Sequence, residues 1–303
     1  MISKNYPSFT EIYGRAWRAC TALWPLLVAR FVFVVANVGA MILCLLLLFG
    51  PFLKDLWNAF QNSGMENPQE YFKNFESSPL FNYFKDPAWL AIAFGMMALY
   101  TIWWMLLTTL FDAGVYRRFW AYQKNGEPLS FRGFFRDAFQ YFLPMLGLVL
   151  LWLLVFIFIM AVLGFLSALL ILFFHAIKLT WVGVLIFIPG TLLFLLLMFG
   201  LVTCWLAACA YLMDGNGVFD ALKKAFGKCV ENYGRMVWSV FLLWLCYFIF
   251  SVVFSLVMNL LGLIPILGMI FAIMQFAVSL AFAVVFWVYI PSLMVAFSLE
   301  EEV

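Results

Sequence analysis

Charge is what this chain has least of. Asp, Glu, Lys and Arg make up 11% of its 303 residues, where a soluble domain carries about 25%, so a water-facing globule is excluded. Histidine is almost missing too. His175 is the sole copy, and beside Lys178 it reads as the polar end of a helix. No G-x-x-x-x-G-K-[ST], G-x-S-x-G or H-E-x-x-H is present, so no motif for cradling a nucleotide or activating a nucleophile stands out. Cys20, Cys44, Cys204, Cys209, Cys229 and Cys246 form no C-x-x-C or Cys/His spacing. Neither a metal, a disulfide framework nor a cofactor is expected. "DGNG" at 214–217 looks like the start of a calcium loop, but the twelfth position is Ala225 where Glu would be needed. An enzyme is not expected.

Apolar residues fill the space that charge leaves, at 67% of the chain. They come in runs: Pro25–Phe49, Ala88–Phe111, Phe142–Leu163, Pro189–Leu212, Val237–Leu261 and Leu267–Tyr289. Each is long enough to cross a hydrocarbon layer of ~30 Å as a helix. Backbone groups inside lipid must be satisfied within their own segment, so these are helices. The ten-residue alternation of a membrane β-barrel is absent. With six spans, Lys4, Arg15, Arg18, Arg30, the cations of 113–141 and those of 213–236 share one side. Only Lys54, Lys73, Lys85 and Lys178 stay opposite. The positive-inside rule then places both termini in the cytoplasm. No cleavable signal peptide is expected.

One amphipathic pattern occurs three times, each copy ahead of two spans. Phe9, Ile12, Tyr13, Ala16, Trp17 and Cys20 recur at i, i+3, i+4, i+7, i+8 and i+11, with Arg15 and Arg18 off the stripe. Phe131, Phe134, Phe135, Ala138, Phe139 and Phe142 repeat the spacing, with Arg132, Arg136, Asp137 and Gln140 opposite. Val218, Ala221, Leu222, Ala225, Phe226 and Cys229 do so again, with Asp220, Lys223, Lys224 and Lys228 opposite. Ser8 with Glu11 reads as a capping box and Ser130 as an N-cap. A basic amphipathic helix of this kind lies in the headgroup plane, aromatics down and cations toward anionic lipid, as an elbow that sets the entry of the next span. The alternative is a set of cytoplasmic helices packed on each other. The predicted fold is all-α: a polytopic membrane helical bundle with six transmembrane helices. It forms one integral membrane domain, 1–303, in three repeats of interfacial helix plus two spans (8–112, 130–213 and 217–297). The apolar segment 164–188 is predicted to extend the third helix and end in a short outer-surface hairpin.

The span centres hold no Asp, Glu, Lys or His, which argues against a proton path. Arg30 is expected to snorkel to the surface, and Asp112 and Asp214 to stop helices in "DAG" and "DGNG". Gly39, Gly95 and Gly200 read as close-packing sites. Ser251, Ser255 and Asn259 form a polar line at i, i+4 and i+8 on the fifth span. Gln275 and Ser279 answer on the sixth, with Gln275 expected at the depth of Ser251. Interhelical hydrogen bonds are the plainer reading of this line and a substrate track the other. In the outer loop, 50–87, Trp57, Phe60, Phe72 and Phe75 mark an aromatic surface for the outer leaflet or a protein partner.

The segment "AGVYRRFWAYQKNGEPLSFRGFFRDAFQYFLPML" (113–146) resembles bacterial six-span membrane proteins of unknown function, in which a span ending in Gly precedes a basic stretch, a "GE" turn and a Phe-rich elbow helix. "AYLMDGNGVFDALKKAFGKCVENYGRM" (210–236) is similar to the stretch before the fifth span of the membrane domain attached to some glycerophosphoryl diester phosphodiesterases. The resemblance implies this fold and a bacterial cytoplasmic (inner) membrane, and supplies no catalytic residue. The expected function is a scaffold or accessory subunit that binds membrane lipids or another membrane protein. The alternative is a transporter or flippase for a lipid-like substrate. Nucleic acid is not an expected partner.

Overall fold

The computed structural model describes residues 8–62, 85–176, 180–261 and 268–299. Among them there are eight helices and no strand: α1 Phe9–Ala22, α2 Pro25–Asn62, α3 Pro87–Asn125, α4 Phe131–Ala176, α5 Thr180–Leu212, α6 Val218–Glu231, α7 Tyr233–Leu261 and α8 Gly268–Ser298. Six segments are long and apolar enough to cross a membrane: Pro25–Gly50, Pro87–Asn125, Phe131–Leu170, Phe194–Leu212, Gly234–Met258 and Met274–Ser298. The chain is a polytopic helical bundle.

Helix ends follow local chemistry. Ser8 and Glu11 close the predicted capping box, with the Ser8 amide donating to Glu11 Oε2 at 2.7 Å. Gly126, at φ +70°, ends α3 in the left-handed conformation that a glycine adopts without strain, its amide donating to Tyr122 O at 2.8 Å. Gly215, at φ +82°, does the same work in the "DGNG" turn after α5. There Asn216 Nδ2 donates to Tyr211 O and Lys124 Nζ pairs with Asp214 at 3.1 Å. Asp214 is the helix stop that was expected.

Asp112 is not. It lies inside α3, which runs on for another thirteen residues to Asn125. Gly114 does not break the helix because the Phe134 ring lies against it; a Cβ there would come within 2.7 Å of Phe134 Cε2. Tertiary packing overrides the local signal.

The elbow pattern also divides differently. α1 and α6 are separate 14-residue helices. The second copy instead forms the first turns of α4, a single helix of 46 residues with Pro144 inside it. The helix runs on through Gly147, and Pro144 is the position where it loses a backbone bond. The extension of the third helix beyond 164 is present. Residues 177–179 lie outside the described set. The remainder of the expected hairpin, 180–188, is instead the beginning of α5, which passes through Pro189 and Gly190. Likewise, the outer loop does not begin at 50, because α2 reaches Asn62.

Two compact units divide the chain, residues 31–108 and the remainder. In the first, Asn37 is buried, its Nδ2 donating to Phe33 O, and Tyr100 Oη donates to Asn37 O at 3.3 Å. Phe49 and Trp89 meet edge to face. Gly39 and Gly95 face open space and are not close-packing sites; Gly200 is buried.

In the larger unit the core sits at one end. Ala207, Ala208, Cys209 and Ala210 are fully buried on α5, and small side chains there let neighbouring helices approach closely. α6 packs on α5, and α1 packs on α8. Ser292 is the junction for α1. Its hydroxyl donates to Ala16 O at 2.9 Å, and Gln123 of α3 donates to Ser292 O at 2.9 Å. Tyr289 Oη donates to Tyr13 O, and Tyr13 Oη to Ser239 O of α7. Burial at this junction pushes the Cys20 thiol up to about 12, a rise partly offset by its hydrogen bond with Ser292.

Two outcomes are expected. Gly114→Ala overpacks the α3–α4 contact and lowers stability by about 1–3 kcal/mol in detergent unfolding. The Cys20 thiol must stay neutral while folded. Its contribution is complete below the unfolded value of about 8.5 and is lost as pH rises toward 12. Stability measured across that window should fall in the native protein, and Cys20→Ala should reduce the slope.

Candidate functional site

The three amphipathic segments each carry two apolar rows, which face different surroundings. The inner row packs on protein. Ile12, Ala16 and Cys20 are buried in α1, Phe134 and Ala138 in α4, and Ala221, Ala225 and Cys229 in α6. The outer row is more open, although Trp17 meets the Tyr289 ring and Arg235 lies over Phe9. Phe9 and Trp17, Phe131, Phe135 and Phe139, and Phe226 are exposed, and Leu222 is half-buried. The paired Ala-aromatic positions show the division best: Ala16, Ala138 and Ala225 are at most 1% exposed, whereas Trp17, Phe139 and Phe226 are at least 56% exposed. The burial of the inner row is the packing that the second sequence reading expected.

The cations divide too. Arg18, Arg132, Arg136, Lys223 and Lys224 are exposed, and Arg15 is half-buried. Lys228, placed by periodicity on the polar side, is buried. Asp137 is also buried, where it pairs with Arg118 of α3. Arg30 does not snorkel away. It is 7% exposed, donates to Asp112 at 2.6 Å, and lies over the Phe111 ring.

Arg118, Ser130, Arg132, Gly133 and Arg136 line a recess of about 570 Å³ at the start of α4. Ser130 caps the helix, its Oγ accepting from the Gly133 amide at 3.4 Å and its carbonyl from Phe134 at 2.8 Å. Gly133 makes room for Arg118, because a Cβ there would run into the guanidinium. Sequence reasoning counted Arg118 only among the cations that set orientation, and placed Arg136 on the charged face of the elbow helix without bringing the two together. The available signal was the glycine at 133, one turn before an aspartate and on its face. The recess can hold an anion. It holds no general base or nucleophile beyond the Ser130 hydroxyl.

The polar track is only partly assembled. Gln275 Nε2 donates to Ser255 Oγ at 3.0 Å, so Gln275 sits at the depth of Ser255 and not of Ser251. Ser251 and Ser279 are half-buried. The side chains of Asn259, Trp57, Phe60 and His175 lie outside the described set, as do Phe72 and Phe75. Among the described residues, no three His, Cys, Asp or Glu cluster as metal ligands.

No protein-family model, curated protein or solved structure matches this chain.

Breaking the Arg118–Asp137 pair should leave a buried charge uncompensated. Asp137→Asn is expected to cost about 3–5 kcal/mol, and replacing both partners with Met and Leu to recover most of it. Denaturation of the single and double variants checks this.

Proposed function

We propose that this is a non-catalytic integral protein of a bacterial cytoplasmic membrane, a scaffold or accessory subunit that binds lipid or a second membrane protein at the inner headgroup layer. One observation carries the reading: the outer aromatic rows stay exposed while the alanines beside them are buried, and arginines or lysines flank the rows. Burying an aromatic side chain completely is worth roughly 1.5–3 kcal/mol. Several half-immersed rings therefore hold each segment to the interface, with neighbouring cations attracted to anionic lipid. The excess of basic residues on that side supports inward-facing termini.

The rival function, transport or flipping of an amphipathic substrate, would use Ser251, Ser255, Asn259, Gln275 and Ser279. The hydrogen bond between Gln275 and Ser255 favours helix-to-helix adhesion, since both groups find a partner within the bundle.

Native mass spectrometry after gentle extraction is expected to show retained lipid or a stoichiometric membrane partner. Lipids brominated near the headgroup should quench the native chain, one of whose 13 tryptophans is Trp17, more than Trp17→Phe. Protein free of both lipid and partner, or equal quenching in Trp17→Phe, would overturn the reading. Substrate flux abolished by Ser251→Leu or Gln275→Leu would replace it with the transporter.

A further inference from the structure

The recess at the start of α4 has features that the other two amphipathic segments lack. α1 carries Glu11 in its first turn and α6 carries Asp220, each offsetting the positive end of its helix. α4 has no acid in its first turn; Gly133 stands at the corresponding position. The Gly133 amide is taken by Ser130 Oγ and the Phe134 amide by Ser130 O. The amides of Phe131 and Arg132 donate to no acceptor among the described residues. Orphan amides at a helix start are a ready site for an anion.

Arg118 supplies the second, independent observation. Its side chain reaches the recess from α3 and is more than nine-tenths buried. Asp137 is its one partner among the described residues, and its Nε has none. Burying a guanidinium with an unsatisfied donor is costly in a bundle free to leave that position apolar. Arg132 and Arg136 complete the lining. Arg136 makes only a long contact of 3.4 Å with Asp137, and Arg132 has no ion-pair partner among the described residues. Three arginines against one aspartate leave an excess of two positive charges facing the recess.

We propose that this recess binds a phosphate group, carried by a lipid headgroup or by a soluble phosphorylated compound. The proposal rests on the interfacial reading above and makes it specific to one site. Guanidinium forks and helix amides match tetrahedral phosphate oxygens, which accept from several directions at once; a carboxylate offers only two oxygens. A volume of about 570 Å³ exceeds a bare phosphate and falls within the range of small-molecule sites, roughly 300–1,000 Å³. The attached group therefore has room. Phe131, Phe135 and Phe139 are exposed on the row beside Arg132 and Arg136. A phosphate at headgroup depth would meet the arginines while the rings enter the lipid.

Full-length protein in neutral detergent can be titrated with short-chain phosphatidic acid and, as an anion without phosphate, with oleate. The native chain should bind phosphatidic acid at one saturable site. Arg132→Gln with Arg136→Gln, both exposed and safe for the fold, should weaken it by about tenfold or more, leaving oleate unchanged. Gly133→Ala, which drives a methyl group into Arg118, should weaken it as well. Displacement by millimolar glycerol 3-phosphate identifies a soluble ligand; its failure to compete identifies the headgroup. Unchanged phosphatidic acid affinity in the double arginine variant, or an equal loss of oleate, would overturn the site. Trp17 quenching by brominated lipid, measured on the same variants, separates that failure from failure of the interfacial reading.

Discussion

At the packed end of the larger unit, each amphipathic segment buries one row of side chains against protein and leaves a row of aromatics exposed. Alanine at the contact and an aromatic one position on is the arrangement that does both. Ala16, Ala138 and Ala225 let helix backbones come close, and dispersion between well-packed helices does the work that water would do for a soluble protein. A larger side chain at any of these points would lift the helix and turn its aromatic row. The rows of Phe9, Trp17, Phe131, Phe135, Phe139 and Phe226 therefore owe their orientation to the alanines under them.

The buried ion pairs act at the same end. Arg30 with Asp112 ties the start of α2 to α3, and Arg118 with Asp137 ties α3 to α4. Such pairs contribute little net stability, since desolvation offsets most of the attraction, but a misregistered helix would leave a charge alone. Their value is in register. Together with Ser292, which joins α1 and α3 to α8, they set the register of these helices within the larger unit.

Six helices were legible because bilayer thickness and backbone satisfaction impose run length directly. The amphipathic repeats were legible because 3.6-residue periodicity survives any later packing. What escaped depends on partners distant in sequence. Asp112 in "DAG" has every local mark of a stop, and only Phe134, twenty residues on, keeps Gly114 helical. Asp137 sits on the charged face by periodicity, but Arg118 draws it inward. The unbroken course of α4 escaped because the amphipathic stripe gives way at Phe142 to a fully apolar run, a change of surroundings that need not be a change of helix. Arg118, Gly133 and Arg136 are unremarkable apart; their meeting across the "GE" turn makes a recess.

Burial along the larger unit tells how its spans divide their work. Half or more of the best spanning window is buried for α5 and α8, at 50% and 61%, against 6% for α4 and α7. α5 and α8 are therefore the axis, and α4 and α7 present most of their length to lipid. A bundle built this way has few polar groups along its spans to line a path, and its ion pairs and arginine recess gather with the aromatic rows at the packed end. The ion pairs and the arginine recess thus lie where small-residue contacts bring the helices closest. The hydrogen bond of Gln275 with Ser255 fits that division, since it spends two of the few polar groups of α7 and α8 on joining the helices to each other.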